Sequence, residues 1–215
     1  MDMPSLITAL LSTQSPLLPV LVIKRLYFAL GWGLVLACIT LLVLRWRGRD
    51  QGAAGRWLPP AMLLWCLVPG PYSPDFWLGL AFRTPSLLLV LLCGWALLHH
   101  YRPRWLAPVP MAALHAWTPA FALLGWVLLL DAFAVWPVSL YDGGFAPLAL
   151  GALGLFAVLP WALRGAGALS VLLCAALLLH LLLRLPTGNA LDVLLDPLLW
   201  LYLQLQWVRR RLCRH

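Results

Sequence analysis

The sequence predicts an all-α protein: a polytopic transmembrane helix bundle of about seven spans, one of them broken, forming a single integral membrane domain over residues 1–215. Three observations predict this fold class. Hydrophobic residues make up 63% of the chain and the mean hydropathy is +0.91, so the chain has more apolar surface than a soluble domain can bury. Apolar runs of roughly 20 residues, the length that crosses a bilayer, fill most of the sequence. Arg and Lys gather in alternate loops between these runs.

The clearest span is 26–44, an unbroken apolar run with Lys24 and Arg25 before it and three arginines after it. The segment before it, 1–24, contains the sequence STQSP and then Pro19. We therefore expect this N-terminal segment to lie in the membrane interface rather than to cross the bilayer. No Lys or Arg precedes Lys24, so we expect no cleaved signal peptide.

The second span is predicted to be broken. Residues 57–68 form only about 18 Å of helix, too short for a hydrocarbon core of roughly 30 Å. Ser73 and Pro74 then start a second short helix that ends near Phe82. Half-helix N-termini inside membranes can hold anionic substrate groups, although Asp75 can equally serve as an electrostatic cap. Asp75, Gly79 and Arg83 are expected on one helix face, toward a polar cavity or the headgroups.

The remaining spans follow from apolar runs that are separated by Pro, Gly and charged residues. Thr84 and Pro85 give a fresh helix start for the third span. The predicted third to seventh spans are 86–98, 107–130, 147–163, 167–183 and 190–207. Together with the first two they give a helix bundle over 26–207, which is followed by a basic tail, 208–215.

The basic residues predict the orientation of the bundle. One set of alternate loops holds eleven of them: Arg45, Arg47, Arg49, Arg56, Arg102, Arg104, Arg164, Arg209, Arg210, Arg211 and Arg214. The other set holds four: Lys24, Arg25, Arg83 and Arg184. Because cytoplasmic loops carry the excess of Arg and Lys, we expect the N-terminus outside and the C-terminus in the cytoplasm. The tail can also lie on anionic lipid headgroups.

The hairpin HLLLRLPTGNALDVLLD concentrates charge in a very apolar region. His180 and Arg184 are four residues apart on the sixth helix, and Asp192 and Asp196 are four apart on the seventh. A tight turn would bring Arg184 level with Asp192, and His180 level with Asp196, as two stacked pairs. The pairs can simply fasten the hairpin, because a partner relieves the cost of an ionisable group in hydrocarbon. Alternatively, His180 and Asp196 exchange a proton or bind a polar substrate.

Several other features favour structural roles. The five cysteines occur singly and are expected to be small buried hydrophobes. His115 is expected to be a hydrogen-bonded packing residue rather than a haem ligand, and we predict neither a cofactor nor a metal site. Two seams of small residues at spacing four suit close helix packing, inside the bundle or with a partner membrane protein: Ala29, Gly33 and Ala37, and Ala112, Ala116 and Ala120.

The sequence favours a multi-pass protein of a bacterial inner (cytoplasmic) membrane, whose partner is the lipid bilayer and not nucleic acid. The pI near 9.9 is explained by the orientation signal. We expect a non-catalytic scaffold or accessory subunit of a cell-envelope system, because HExxH, GxSxG and Walker motifs are absent. The alternative is a small membrane enzyme or permease with an outward-facing site for a polar or anionic substrate. Its candidate residues are Asp75, Arg83, Asp131, Asp142, His180, Arg184, Asp192 and Asp196.

Overall fold

The structure, a computed structural model, describes residues 18–212 except 136 and 138. These residues form helices and connecting turns with no strand among them, which confirms the all-helical class for this part of the chain. They fall into two compact units, an N-terminal unit, Val20–Val109, and a C-terminal unit that consists of the described residues from Pro110 onward together with residues 18 and 19. Each unit has its own buried apolar residues and is described by itself. The single integral domain stays a prediction.

In the N-terminal unit three helices pack against one long helix. The helices are α1 (Leu21–Trp46), α2 (Ala53–Trp65), α3 (Pro74–Phe82) and α4 (Leu87–Tyr101). Glycine lets the neighbours approach α1 closely: Gly31 faces Pro85 and Val90, and Gly33 faces the backbone of Leu63. Trp32 of α1 is buried, and its indole N–H donates to the carbonyl of Arg83 at 2.9 Å. The first predicted small-residue seam is therefore used inside this unit.

Two prolines inside α2 leave two backbone carbonyls without helical donors, and a side chain of α4 approaches both. Pro59 and Pro60 have no N–H, so the carbonyls of Gly55 and Arg56 lack their helical donors. The hydroxyl of Tyr101, the last residue of α4, lies 2.9 Å from the Gly55 oxygen and 3.4 Å from the Arg56 oxygen. The phenol has one proton to donate, so it bonds chiefly to the nearer Gly55 carbonyl, and this bond fixes the end of α4 to the start of α2.

The C-terminal unit contains four longer helices and three short ones among its described residues. These are α5 (Met111–Ala116), α6 (Thr118–Ala132), α7 (Leu140–Gly143), α8 (Pro147–Arg164), α9 (Gly167–Leu183), α10 (Leu191–Leu194) and α11 (Pro197–Leu212). A two-residue link joins α8 to α9, and the backbone N–H of Trp161 donates to the Ser170 hydroxyl beside it. These two helices therefore run antiparallel.

Aromatic contacts set the direction of α11. The Trp200 indole donates to the Ala122 carbonyl at 3.2 Å and meets Trp126 edge-on, while Trp207 lies beside α5. The start of α11 therefore contacts α6, and its later turns lie beside α5, which precedes α6 in the chain. Helices α6 and α11 are consequently antiparallel. The described residues of the unit consequently form two ends: a loop end with residues 131–135, 137, 139–144 and 184–196, and a basic end with residues 110–116 and 207–212.

The helix boundaries correct several predictions. Helix α1 starts at Leu21 and ends at Trp46, so it includes Lys24 and Arg25 and is longer than the predicted 26–44. The N-terminal interfacial segment lies outside the described residues up to position 17. The predicted fourth span is divided at Trp117 into α5 and α6, and the seventh is divided before Pro197. The tail residues up to Leu212 continue α11 rather than forming a separate segment.

Among the described residues, α1 is the one helix that is long and apolar enough to cross a membrane, by length and composition. The other strongly apolar helices, α4, α6, α8 and α9, are shorter. Many large apolar side chains nevertheless point outward from these helices, including Leu123, Leu155 and Leu182, each more than two thirds exposed. The seven-span bundle stays a prediction. The exposed apolar surfaces are of the kind that such a bundle would present to lipid.

Candidate functional site

The loop end of the C-terminal unit holds most of the predicted site residues. Their contacts centre on five side chains, named here the loop cluster: Asp131, Tyr141, Thr187, Asn189 and Asp192. The cluster joins three separate parts of the chain, since it links the end of α6, the short helix α7 and the turn between α9 and α10. Sequence spacing did not reveal it, because its members are up to about 60 residues apart in the chain.

Asp131 organises the start of α7. Its two carboxylate oxygens accept the backbone N–H groups of Leu140 and Tyr141 at 2.9 and 2.8 Å, and the Ser139 hydroxyl lies 3.4 Å away. A carboxylate at a helix N-terminus satisfies donors that have no partner inside the helix. These hydrogen bonds hold α7 against the last turn of α6, and Asp131 itself is buried.

Asp192 and Asn189 attach the α9–α10 turn to α7. Asp192 accepts the Tyr141 hydroxyl at 2.7 Å and also the Thr187 hydroxyl. The fully buried Asn189 donates its side-chain amide to the Tyr141 carbonyl at 2.8 Å and accepts the Leu191 N–H at 2.9 Å. The Asn189 side-chain oxygen thus bonds the backbone two residues further along, as in an Asx turn, at the start of a helix of only four residues.

The two predicted charge pairs do not form. Helix α9 ends at Leu183, and Arg184 adopts the left-handed conformation with φ +57°, so it leaves the face that carries His180. The buried His180 ring places Nδ1 2.7 Å from the carbonyl oxygen of Leu185 instead. Asp192 is engaged by hydroxyls rather than by the Arg184 guanidinium. An ion pair that the described residues do form joins Arg45 to Asp50 in the other unit.

Asp196 starts a helix instead of lying within one. Its carboxylate accepts the Leu198 N–H at 2.8 Å, and its carbonyl accepts the Trp200 N–H at 2.8 Å. The physical reason is Pro197: a residue before proline is pushed out of the α region, and proline is favoured in a first turn. The residue between the two segments, Leu195, is extended. The spacing of four between Asp192 and Asp196 consequently does not place them on one face.

The other candidates are dispersed. Asp142 is exposed on α7. In the N-terminal unit Asp75 is buried in the first turn of α3 and accepts the Ser73 hydroxyl. Gly79 packs on Phe28, so this face of α3 is directed into the unit and not toward headgroups. Arg83 lies beyond the helix end with φ +61°.

A second polar feature lies at the basic end of the C-terminal unit. A cleft of about 390 Å³ opens between α5 and the last turns of α11. Its lining consists of Ala112, His115, Ala116, Thr118, Trp207, Arg210 and Arg211. Ala112 and Ala116 of the second predicted small-residue seam therefore line this cleft, and their small side chains leave its space open.

The two features differ in chemistry. In the loop cluster the carboxylate oxygens accept hydrogen bonds from nearby backbone and hydroxyl groups. This arrangement is typical of side chains that hold loops in place. In the described part of the chain, no three His, Cys or Asp side chains gather closely enough to hold a metal ion. The cleft, by contrast, presents two guanidinium groups. Comparison with protein-family models, with curated proteins and with solved structures finds no match for this chain.

Proposed function

We propose that this chain is a multi-pass protein of a bacterial cytoplasmic membrane, with its loop end outside and its basic end in the cytoplasm. The exposed apolar surface supports the membrane placement. Leu, Val and Trp side chains are exposed along α1, α6, α8, α9 and α11. A surface so apolar on these five helices suits lipid and would promote aggregation in water. Several of the exposed tryptophans suit the membrane interface.

The distribution of charge supports the orientation. All four acidic residues that the structure describes in the C-terminal unit lie at its loop end. Three consecutive arginines, beginning at Arg209, lie at its basic end. Since cytoplasmic ends carry the excess of Arg and Lys, the basic end is assigned to the cytoplasm.

The role that we assign is that of a non-catalytic scaffold or accessory subunit of a cell-envelope system. The observation that carries it is the use of three acids at the loop end: Asp131, Asp192 and Asp196 hold loops and helix starts together. Partners would contact the protein chiefly within the bilayer, because the connecting loops are short.

Two conservative substitutions distinguish this role from the alternative, an enzyme or permease. Asn caps a helix about as well as Asp, and its side-chain oxygen can still accept the Tyr141 and Thr187 hydroxyls. We therefore expect Asp192→Asn and Asp196→Asn to leave both the abundance and the cellular role of the protein near normal. Asp196→Ala, which removes the cap, serves as the matched variant and should lower abundance and role together.

The measurement is complementation of a strain that lacks the gene, with the membrane abundance of each variant quantified in parallel. If either Asn variant is abundant but inactive, a carboxylate is chemically required and the scaffold role is wrong. Purification in mild detergent gives the second test. A defined partner subunit should elute with the wild type at a fixed ratio, whereas a monomer that is active alone would contradict the proposal.

A further inference from the structure

The cleft at the basic end of the C-terminal unit carries positive charge, and no acidic side chain of the part of this unit that the structure describes lies beside it. Arg210 and Arg211 both line it, and His115 faces them from α5. The acidic residues that the structure describes in this unit lie at the opposite end of helices that are 15 or 16 residues long, about 20 Å away. A cleft of this kind attracts an anion, since guanidinium groups form charge-assisted hydrogen bonds with phosphate oxygens.

The walls of the cleft suit a ligand of limited size. The Arg211 guanidinium lies 5.1 Å from the centre of the Trp207 ring, a contact that holds this side chain over an aromatic face. Ala112 and Ala116 line the side formed by α5, where a larger side chain would occupy the space. The volume, about 390 Å³, lies near the lower limit for small-ligand sites.

The surroundings of the cleft indicate an amphiphilic ligand. Leu205, Val208 and Leu212 are exposed on the same turns of α11 as the arginines. Apolar side chains next to paired arginines suit a molecule with an anionic head and hydrocarbon chains. A free inorganic anion has no hydrocarbon portion that could contact this apolar surface.

We propose that this cleft binds the phosphate group of an anionic phospholipid, with Arg210 and Arg211 holding the phosphate and the exposed side chains of α11 contacting the acyl chains. The proposal rests on the membrane placement given under the proposed function. It assigns this end of the unit a defined lipid site, beyond a general attraction of basic loops to the membrane surface.

The test uses the full-length protein in a neutral detergent and counts bound phosphatidylglycerol by native mass spectrometry during a titration. Wild-type protein should bind it at least roughly tenfold more tightly than phosphatidylcholine, whose headgroup carries no net charge. Arg210→Gln should weaken binding roughly tenfold through the lost charge-assisted bonds. Ala116→Leu should weaken it similarly by filling the cleft without altering any charge.

Arg209→Gln is the matched control, because it removes the same charge from the neighbouring residue, which does not line the cleft. Equal weakening by Arg209→Gln would show diffuse attraction and overturn the proposal. Equal binding of phosphatidylcholine would overturn it as well. Displacement of phosphatidylglycerol by an equal concentration of inorganic phosphate would reassign the cleft to a free anion. Circular dichroism of each variant verifies its folding.

Failure here is separable from failure of the membrane placement. Extraction of the same protein from cell membranes with alkaline carbonate tests integration directly. A chain that resists extraction but binds no phosphatidylglycerol refutes the lipid site alone, whereas a chain that is extracted refutes the membrane placement on which both proposals rest.

Discussion

At the scale of single residues, the loop cluster depends on one close approach between backbone and side chain. Gly144 is buried at the end of α7, and a Cβ atom at this position would overlap the side-chain oxygen of Asn189. Its carbonyl also accepts the Ala190 N–H at 3.0 Å. Asn189 cannot retreat without losing its bond to the Tyr141 carbonyl. This position therefore requires glycine for space, since its φ of −66° suits any residue.

We predict that Gly144→Ala destabilises the protein by about 1–3 kcal/mol, the usual cost of inserting atoms into a packed site. Gly143→Ala is the control, because nothing lies within 4 Å of a Cβ at that position. Thermal denaturation in detergent, followed by circular dichroism, measures both. If the two variants melt at the same temperature, the contact between Gly144 and Asn189 does not support the loop end.

The residue scale also shows what the sequence could predict about the site. The spacing of charged residues correctly indicated that His180 and the nearby aspartates lie at one end of the last helices. It gave the wrong pairing, because it assumed that both helices continue through Arg184 and Asp196. The sequence Asp196-Pro197 contains the correct signal, a cap residue followed by a first-turn proline, which is the same signal that predicts the start of α3 at Ser73 and Pro74. Asn189 and Tyr141 carry no local signal.

At the scale of helices, the prolines of α2 make its integrity dependent on α4. Both freed carbonyls, those of Gly55 and Arg56, lie within reach of the Tyr101 hydroxyl, and Arg56 is exposed. We predict that Tyr101→Phe destabilises the protein by about 1–2 kcal/mol, through the lost hydrogen bond to an otherwise unsatisfied carbonyl. Tyr72→Phe is the control, since Tyr72 is 82% exposed. The predicted difference appears as a lower melting temperature for Tyr101→Phe; equal melting would contradict this role of the phenol.

The contact between α6 and α11 depends on Gly125. A Cβ atom there would overlap the indole of Trp200, which is fixed by its bond to the Ala122 carbonyl. We predict that Gly125→Ala destabilises the protein by about 1–3 kcal/mol. The control is Gly154→Ala in α8, which has open space around the new methyl and should be neutral or stabilising by up to about 1 kcal/mol.

Chemical denaturation of the two variants in the same detergent measures this difference. A Gly125→Ala protein as stable as the Gly154→Ala protein would mean that α6 and α11 do not pack closely at this level.

The apolar runs predicted most helices well, since a helix occupies each of the seven predicted segments. The lengths were less predictable. Trp117 and Leu195 interrupt predicted spans because Pro119 and Pro197 cannot donate to carbonyls four residues earlier. The turn between α2 and α3 was predictable from Ser73 and Pro74, whereas the contact of Gly79 with Phe28 needed the tertiary structure.

At the scale of the complete protein, each unit combines exposed apolar side chains with an uneven distribution of charge. In the N-terminal unit Arg45 lies in the last turn of α1 and Arg47 and Arg49 follow the helix, while Lys24 and Arg25 lie in its first turns. In the C-terminal unit the acids and the arginine triplet occupy opposite ends. Composition and charge could be read from the sequence alone. The loop cluster and the basic cleft could not, because each gathers residues that are distant in the chain.

The most direct test of the central claim, a membrane protein whose loop end lies outside, is cysteine labelling in intact cells. The five native cysteines are first replaced, and single cysteines are then introduced as Asp142→Cys at the loop end and Arg209→Cys at the basic end, both exposed positions. A maleimide that cannot cross membranes should label the Asp142→Cys protein in intact cells and the Arg209→Cys protein only after lysis. Labelling of both proteins in intact cells, or of Arg209→Cys alone, would contradict the account.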